Sequence, residues 1–354
     1  WVVHNGAAAV SPFGRSAIVF NGHGPYPNPW SAAAQRFRPP EHEKSRGLSA
    51  IIELLNSVEG NKQQLTLLVN PAAGRGRSAR RFERAARCLE RDGLSFDYRF
   101  SSGRGHLTEL AGALERTLPV VCGGDGSLNE VINGLPPSVS TLGVIPSGTG
   151  DDLARNLGIP LDLEGACRTL VRGTPRPVDL VSTGRRLFAG IGGAGVDAVV
   201  TRRANESRLP LRGRGLYIWA VLRTLPTFRP FNFTLEGDGW SHRGPVMFAG
   251  VANTASYGGG LRLSPTSKPD DGILEVCIVG EMSRLSLLAC FPRLLRGTHL
   301  DLPQVRLLST RRLRMESDRP ADFFADGEFH QQLPVELTVQ PGALQIIVPA
   351  LRGN

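Results

Sequence analysis

At 354 residues the chain is long for a single hydrophobic core, so two domains with a cleft between them are expected. Hydrophobic residues make up 41% of it, yet no run approaches the roughly 18 consecutive apolar residues of a membrane-spanning helix, so any membrane contact is expected to be peripheral. A net charge of +9 favours anionic partners, from nucleotides and acidic lipid surfaces to nucleic acid, without choosing among them.

Residues 1–46 are rich in proline, as in Gly24-Pro-Tyr-Pro-Asn-Pro-Trp30, and read as a mobile extension. Leu48 to Val58 has apolar residues at helical spacing and predicts a short helix. From Leu65 strands alternate with helices. Leu65–Val69 precedes an arginine-rich helix over Ser78–Asp92, and Ser95–Phe100 precedes a helix starting near His106. Pro119–Cys122 then precedes Ser127–Asn133, and Thr141–Ile145 precedes Asp151–Leu157. This repetition predicts a largely parallel sheet covered by helices, with ligands at the carboxyl ends of the strands.

Beyond about Val178, strand-like runs are separated by glycine turns: Leu187–Ala189, Phe231–Glu236, Val246–Ala252, Ile273–Val279 and Val305–Leu308. They predict an antiparallel second domain, with helices over Leu211–Leu225 and Ser283–Arg296 packed on it, although Arg284–Arg296, basic and apolar, also reads as a contact for an anionic membrane. Pro292 is expected to interrupt the second helix. Pro334–Val348 alternates as one or two strands that return to the first domain. The expected organisation is an extension over 1–60, a nucleotide-binding α/β domain over 61–178, a β-sandwich-like domain over 179–333 and returning strands over 334–354. The five cysteines are scattered, with none in Cys-x-x-Cys, which predicts reduced thiols and a cytoplasmic setting. The sequence begins at Trp1, which leaves a removed targeting segment open.

Three glycine-rich turns each follow a strand and open a helix, where backbone N–H groups and the positive helix end can face phosphate. The first, Asn70-Pro71-Ala-Ala-Gly74-Arg75-Gly76-Arg77, is not Walker A and is equally readable as an ordinary βα turn. The second is Gly123-Gly124-Asp125-Gly126-Ser127-Leu128-Asn129-Glu130. Ser127 and Glu130 fit a capping box. Asp125 needs another explanation, because a carboxylate beside phosphates is repelled unless Mg²⁺ lies between them. The third is Pro146-Ser-Gly148-Thr149-Gly150-Asp151-Asp152, where one aspartate is expected to cap and the other to organise metal or water. With no Walker lysine, Mg²⁺ and Arg75, Arg77 or Arg80 would supply cations, though each arginine taken singly reads better as a solvated helix residue. Tyr217 and Trp219 read as core.

At these residues the chain resembles the diacylglycerol kinase catalytic-domain family, which includes soluble bacterial diacylglycerol kinases, related lipid kinases and sphingosine kinases. Further matches are Ala252-Asn253, Tyr257-Gly-Gly-Gly260, Lys268-Pro-Asp-Asp271-Gly272 and Asp326-Gly327-Glu328, so that the likeness covers about residues 65 to 348. It implies ATP bound between the domains and lipid presented at the cleft. Asn70, Pro71, Gly74, Ser101, Gly123, Gly124, Asp125, Gly126, Ser127, Leu128, Asn129 and Thr149 would contact ATP. Asp125 and Asp152 would belong to a network of Mg²⁺ and water. Glu328 would accept the hydroxyl proton, assisted by Asp326, although Asp326-Gly327 also reads as a plain hairpin turn. Lys268, Asp271 and Ile273 would hold a second, structural Mg²⁺.

Three departures stand out: Ser127 and Ser101 where the family has threonine, and Asp151 where it has asparagine. The implied partners are a membrane lipid substrate and a membrane surface touched peripherally, with no nucleic acid and with a homodimer left open. The favoured acceptor is diacylglycerol, giving phosphatidic acid. The open alternatives are another lipid such as a sphingoid base, a soluble metabolite as in NAD kinase, and a nucleotide-binding regulator without catalysis.

Overall fold

The computed structural model describes residues 64–115, 117–207, 209 and 214–350. The expected extension and the helix over Leu48–Val58 lie outside the described residues, as does the start of the helix expected from Leu211.

The first domain is built on β1 (Gln64–Val69), β2 (Phe96–Phe100), β3 (Thr117–Gly123) and β4 (Thr141–Pro146), which run parallel in the order β2-β1-β3-β4. Their near-continuous apolar sequences are what strands covered on both faces require, and every residue of β3 is buried. One face is covered by α1 (Arg77–Arg91) and α5 (Leu163–Arg172), which bring Phe82, Leu89, Leu163 and Leu170 to one core cluster. The other face carries α2 (His106–Gly112), α3 (Asp125–Gly134) and α4 (Asp152–Asn156), with Leu107, Leu128, Val131 and Leu153 buried beneath. Helix α5 is absent from the sequence expectation. Its N-cap is Asp162, whose Oδ1 accepts the N–H of Gly165 at 2.7 Å.

The second domain is antiparallel, as expected. It contains β6 (Leu187–Phe188), β7 (Ile191–Gly195), β8 (Phe231–Gly237), β9 (Trp240–Ala252), β10 (Leu274–Gly280), β11 (Val305–Thr310), β12 (Arg312–Ser317), β13 (Asp322–Ala325) and β14 (Glu328–Gln332). Strand β9 changes partners along its length. Its first half pairs with β8, and its second lies between β7 and β10. Helices α6 (Val196–Glu206), α7 (Arg214–Thr224) and α8 (Arg284–Arg296) belong to this domain. Helix α8 runs through Pro292 without the expected interruption, and it packs on the sandwich as expected, through the partly buried Leu287 and Leu294.

Two long strands join the domains. β15 (Val335–Val348) pairs with β12 at one end and parallel with β4 at the other, while β5 (Thr174–Ser182) runs antiparallel beside it. The boundary expected at 178/179 therefore falls inside β5. A strand hydrogen-bonded on both sides of that point leaves no linker for the sequence to mark.

Candidate active site

The three glycine turns meet at the carboxyl ends of β1, β3 and β4. Asn70 ends β1 by donating its backbone N–H to the Cys122 carbonyl at 3.1 Å. Its Oδ1 accepts the Ala72 N–H, and its Nδ2 donates to Ser127 Oγ at 2.9 Å, which ties the first turn to the opening of α3. Gly74 has φ +58, and a Cβ there would lie 2.1 Å from the Ser147 carbonyl oxygen. A Cβ on Gly124 would lie 2.9 Å from Gly148 Cα. The turns thus touch backbone to backbone, an approach open only to glycine. Ser101 ends β2, with its N–H on the Val69 carbonyl at 2.8 Å, and Thr149 is exposed on the third turn.

Asp125 is the first residue of α3. Its Oδ1 accepts the N–H groups of Asp152 at 2.7 Å and Leu153 at 3.3 Å, the first free donors of α4. Its Oδ2 turns to Gly150, where a Cβ would meet it at 2.9 Å and Asp152 Oδ2 at 3.0 Å. Two carboxylate oxygens therefore converge over one glycine. Asp152 also accepts the Gly259 N–H, at 2.8 Å on Oδ1 and 3.1 Å on Oδ2, which docks the Tyr257–Gly260 loop of the second domain. Burial raises Asp125 above the usual carboxylate range. Burial and then the Asp125 charge push Asp152 up to about 6.

Asp151 is the N-cap residue of α4, with φ +51, a conformation that asparagine and aspartate tolerate best after glycine. Its Oδ1 accepts the Gly148 N–H at 2.8 Å. An asparagine oxygen would make the same bond, so the departure at this position preserves the turn and adds a charge, one that burial disfavours.

The capping box expected at Ser127 and Glu130 does not form. Gly124 is the N-cap, in extended conformation, and the helix begins at Asp125, so Ser127 already lies inside the first turn. Glu130 instead serves a neighbouring helix, its Oε2 accepting the Leu107 N–H at 3.2 Å near the start of α2.

The opposite wall is the β13–β14 hairpin. Its two-residue turn, Asp326-Gly327, has φ +49 and +79, the positive pair of a type I′ turn. The hairpin and the predicted functional position are the same feature. Asp326 Oδ1 accepts the N–H groups of Gly190 and Ile191 at 3.1 and 3.2 Å, and Oδ2 accepts that of Ala189 at 3.1 Å. The carboxylate thus fastens the hairpin to the chain entering β7, and burial, with the Asp125 charge adding to it, pushes it up to about 6. Glu328 follows the turn. Its Oε1 lies 3.9 Å from where a Cβ on Gly126 would stand, and its Oε2 pairs with Arg104.

Not every predicted residue faces this cleft. Asn129 is 1% exposed; its Nδ2 donates to the Leu187 carbonyl and to Asp326, and its Oδ1 accepts Arg186 Nη2 at 2.9 Å. It bridges the two domains beneath the cleft. The Leu128 side chain lies in the core, and Pro71 is buried. The 268–273 turn stands apart from the cleft. Asp271 is exposed and its Oδ1 accepts the Ile273 N–H at 3.0 Å, Lys268 is exposed, and Asp270 is held by Arg176. The turn is anchored on buried Asp179, which accepts the N–H groups of Gly272 and Gly342 at 2.6 and 2.7 Å. Asn253, fully buried, donates to the Asp179 and Ala189 carbonyls and so ties β5 to the approach to β7.

The cations differ from those expected. Arg77 is bonded to the Gly74 carbonyl, Arg80 is exposed, and the side chain of Arg75 is outside the described set. The cleft instead receives Arg104, from the Gly103-Arg-Gly105 turn after β2, and Arg155, whose Nε donates to the Gly150 carbonyl at 2.8 Å. The signal for Arg104 was available: a fourth glycine-containing turn between a strand and a helix. Tyr217, read as core, donates its hydroxyl to Asp197, which also bonds Tyr257 beside the docked loop.

Two family models match the chain: the diacylglycerol kinase catalytic domain over residues 64–183, and the YegS C-terminal NAD kinase beta sandwich-like domain over 190–348. A diacylglycerol kinase of Mycobacterium tuberculosis (strain ATCC 25618 / H37Rv) is 32% identical over 300 residues, covering 81% of this chain and 95% of its own length. One from Bacillus subtilis (strain 168) is 29% identical over 289 residues, covering 80% and 95%. A solved structure of a diacylglycerol kinase from Bacillus anthracis str. Sterne shares the fold, with a TM-score of 0.63 at 20% identity over 81% of this chain and 97% of that one. The two domains and the loops between them are those of a kinase with an α/β catalytic domain carried on an NAD-kinase-like sandwich. The chain belongs to the diacylglycerol kinase family, a family of lipid kinases.

Proposed function

We propose that the protein transfers the γ-phosphate of ATP to a lipid hydroxyl, with diacylglycerol as acceptor and phosphatidic acid as product, at the cytoplasmic face of a membrane. The observation that carries this reading is the convergence of Asp125 and Asp152 over Gly150, opposite Glu328. Two carboxylate oxygens at a glycine cradle are hard donors of the kind Mg²⁺ takes, and burial, joined at Asp152 by the Asp125 charge, raises their proton affinity. Among the described residues no group of three acidic, histidine or cysteine side chains surrounds a metal position, so phosphate oxygens and water would complete the shell. Bound there, Mg²⁺ would neutralise phosphate charge. The 268–273 turn, with the Asp271 carboxylate and the Lys268 and Ile273 carbonyls, is the proposed place of a second, structural Mg²⁺.

The chain's own groups supply the rest. The N–H groups of the glycine turns and the amino ends of α1 and α3 bind phosphate. Glu328 receives the acceptor proton, Arg104 orients it, and Asp326 fixes the hairpin that carries it. Among the described residues no helix is long and apolar enough to cross a membrane, which is compatible with peripheral contact.

The test is an acceptor panel with purified protein, ATP and Mg²⁺, comparing diacylglycerol, a sphingoid base and NAD. Phosphatidic acid as the main product supports the proposal. Preference for NAD or the sphingoid base rejects the acceptor, and ATP binding without turnover on any acceptor rejects catalysis.

A further inference from the structure

We propose that α7 and α8 form the face by which the protein docks on an anionic bilayer, an inference that rests on the lipid-kinase reading above. Helix α8 is apolar on two sides. On the inner side Leu287 and Leu294 pack against the sandwich, and the Phe291 ring lies 6.3 Å from that of Tyr217 on α7. On the outer side Leu285, Leu288 and Leu295 are 79%, 37% and 51% exposed, and Pro292 is exposed between them. At the helical repeat these four positions fall within an arc of about 80°. Ile218 and Leu222, one turn apart on α7, add exposures of 54% and 56%. Single exposed leucines are ordinary, but a stripe aligned along one helix, with two more exposed apolar side chains on the helix beside it, is an interaction surface.

Charge selects the occupant. Neither α7 nor α8 contains an aspartate or glutamate. Arg284 and Arg296 border the outer stripe on its two sides, and Arg223 and Arg293 lie on the same helices. Among the described residues none of these four arginines makes a side-chain ion pair or hydrogen bond. An apolar stripe flanked by unpaired arginines suits acyl chains beneath anionic headgroups, with the guanidinium groups reaching up to the phosphates. The face also adjoins the cleft. The Leu294 carbonyl of α8 accepts the Arg262 N–H at 2.9 Å, and the same loop donates the Gly259 N–H to Asp152. Docking through α8 would therefore bring the cleft rim to the lipid surface.

The test measures vesicle binding and turnover separately. Co-sedimentation without ATP uses phosphatidylcholine vesicles with and without phosphatidylglycerol, for the wild type, the double variant Leu285→Ser/Leu295→Ser and the double variant Arg284→Glu/Arg296→Glu. Turnover uses monomeric dioctanoylglycerol, which needs no bilayer, and sedimentation velocity gives the mass. Expected are wild-type binding only to the anionic vesicles, a loss of about tenfold or more in both variants, and unchanged mass and turnover on the soluble acceptor. Variants that bind vesicles like the wild type, or a wild-type dimer that both variants dissociate, overturn the proposal. A failure of the lipid-kinase reading is distinguishable, as vesicle binding without wild-type turnover on any acceptor.

Discussion

Glu328 and Arg104 form an ion pair across the mouth of the cleft, although 224 positions separate them in the chain. Arg104 comes from an exposed turn of the α/β domain and Glu328 from the sandwich, so the pair spans the two walls. An exposed pair of this kind is worth about 0–1 kcal/mol to stability, and its consequence is therefore orientation. Arg104→Ala is expected to leave the melting temperature within a degree or two of the wild type while lowering kcat several-fold, with Arg104→Lys restoring part of the loss. Unchanged kcat in Arg104→Ala would remove Arg104 from the site.

The acidic pair is expected to make the protein's stability depend on pH and on divalent cations. Asp152 is raised from its ordinary 3.8 to about 6, so the folded protein holds that proton more tightly than the unfolded chain. Its stabilising contribution is present in full below pH 3.8 and is lost as pH rises through about 6. Above pH 6 a cation should replace the proton. Mg²⁺ is expected to raise the melting temperature more at about pH 7.5 than at about pH 5. Asp152→Asn should raise the cation-free value at the higher pH and remove the pH-dependent part of the Mg²⁺ response, leaving whatever the 268–273 turn contributes. A Mg²⁺ shift of equal size at both pH values would contradict this.

His330 acts in the opposite sense. It packs edge-on against the rings of Phe188 and Phe323, and among the described residues neither ring nitrogen has a hydrogen-bond partner. Burial, with a smaller effect from the Arg186 charge, lowers it from 6.5 to about 4. The stability gained by keeping it neutral is present above pH 6.5 and is lost as pH falls through about 4. His330→Leu should match the wild type at about pH 7.5 and exceed it at about pH 4.5 by on the order of 2 kcal/mol. Chemical denaturation at the two pH values measures this, and the difference between the proteins isolates His330 from Asp152 and Asp326, which titrate in the other direction.

What the sequence reveals is local. The βα repeats, the three glycine turns and the Asp-Gly hairpin each announce themselves within a dozen residues, because apolar period and turn chemistry are local properties. Long-range geometry does not. The bond that Asn70 donates to Ser127, the service of Glu130 to α2 and the turning of Asn129 into the domain junction depend on neighbours about 20 to 200 positions away. The same is true of the boundary at 178, which falls within β5, a strand paired with β15 on either side of that point. Asp179 is unremarked in the sequence for a related reason: its two backbone donors, Gly272 and Gly342, come from distant turns.

Glu328 as the group that receives the acceptor proton is the central claim, and transfer of label from the γ-phosphate of ATP to diacylglycerol in mixed vesicles tests it most directly. Wild-type protein is expected to label the lipid, and Glu328→Gln to lose about a hundredfold or more in kcat with ATP affinity and melting temperature unchanged. A folded Glu328→Gln variant that labels the lipid at the wild-type rate would contradict it.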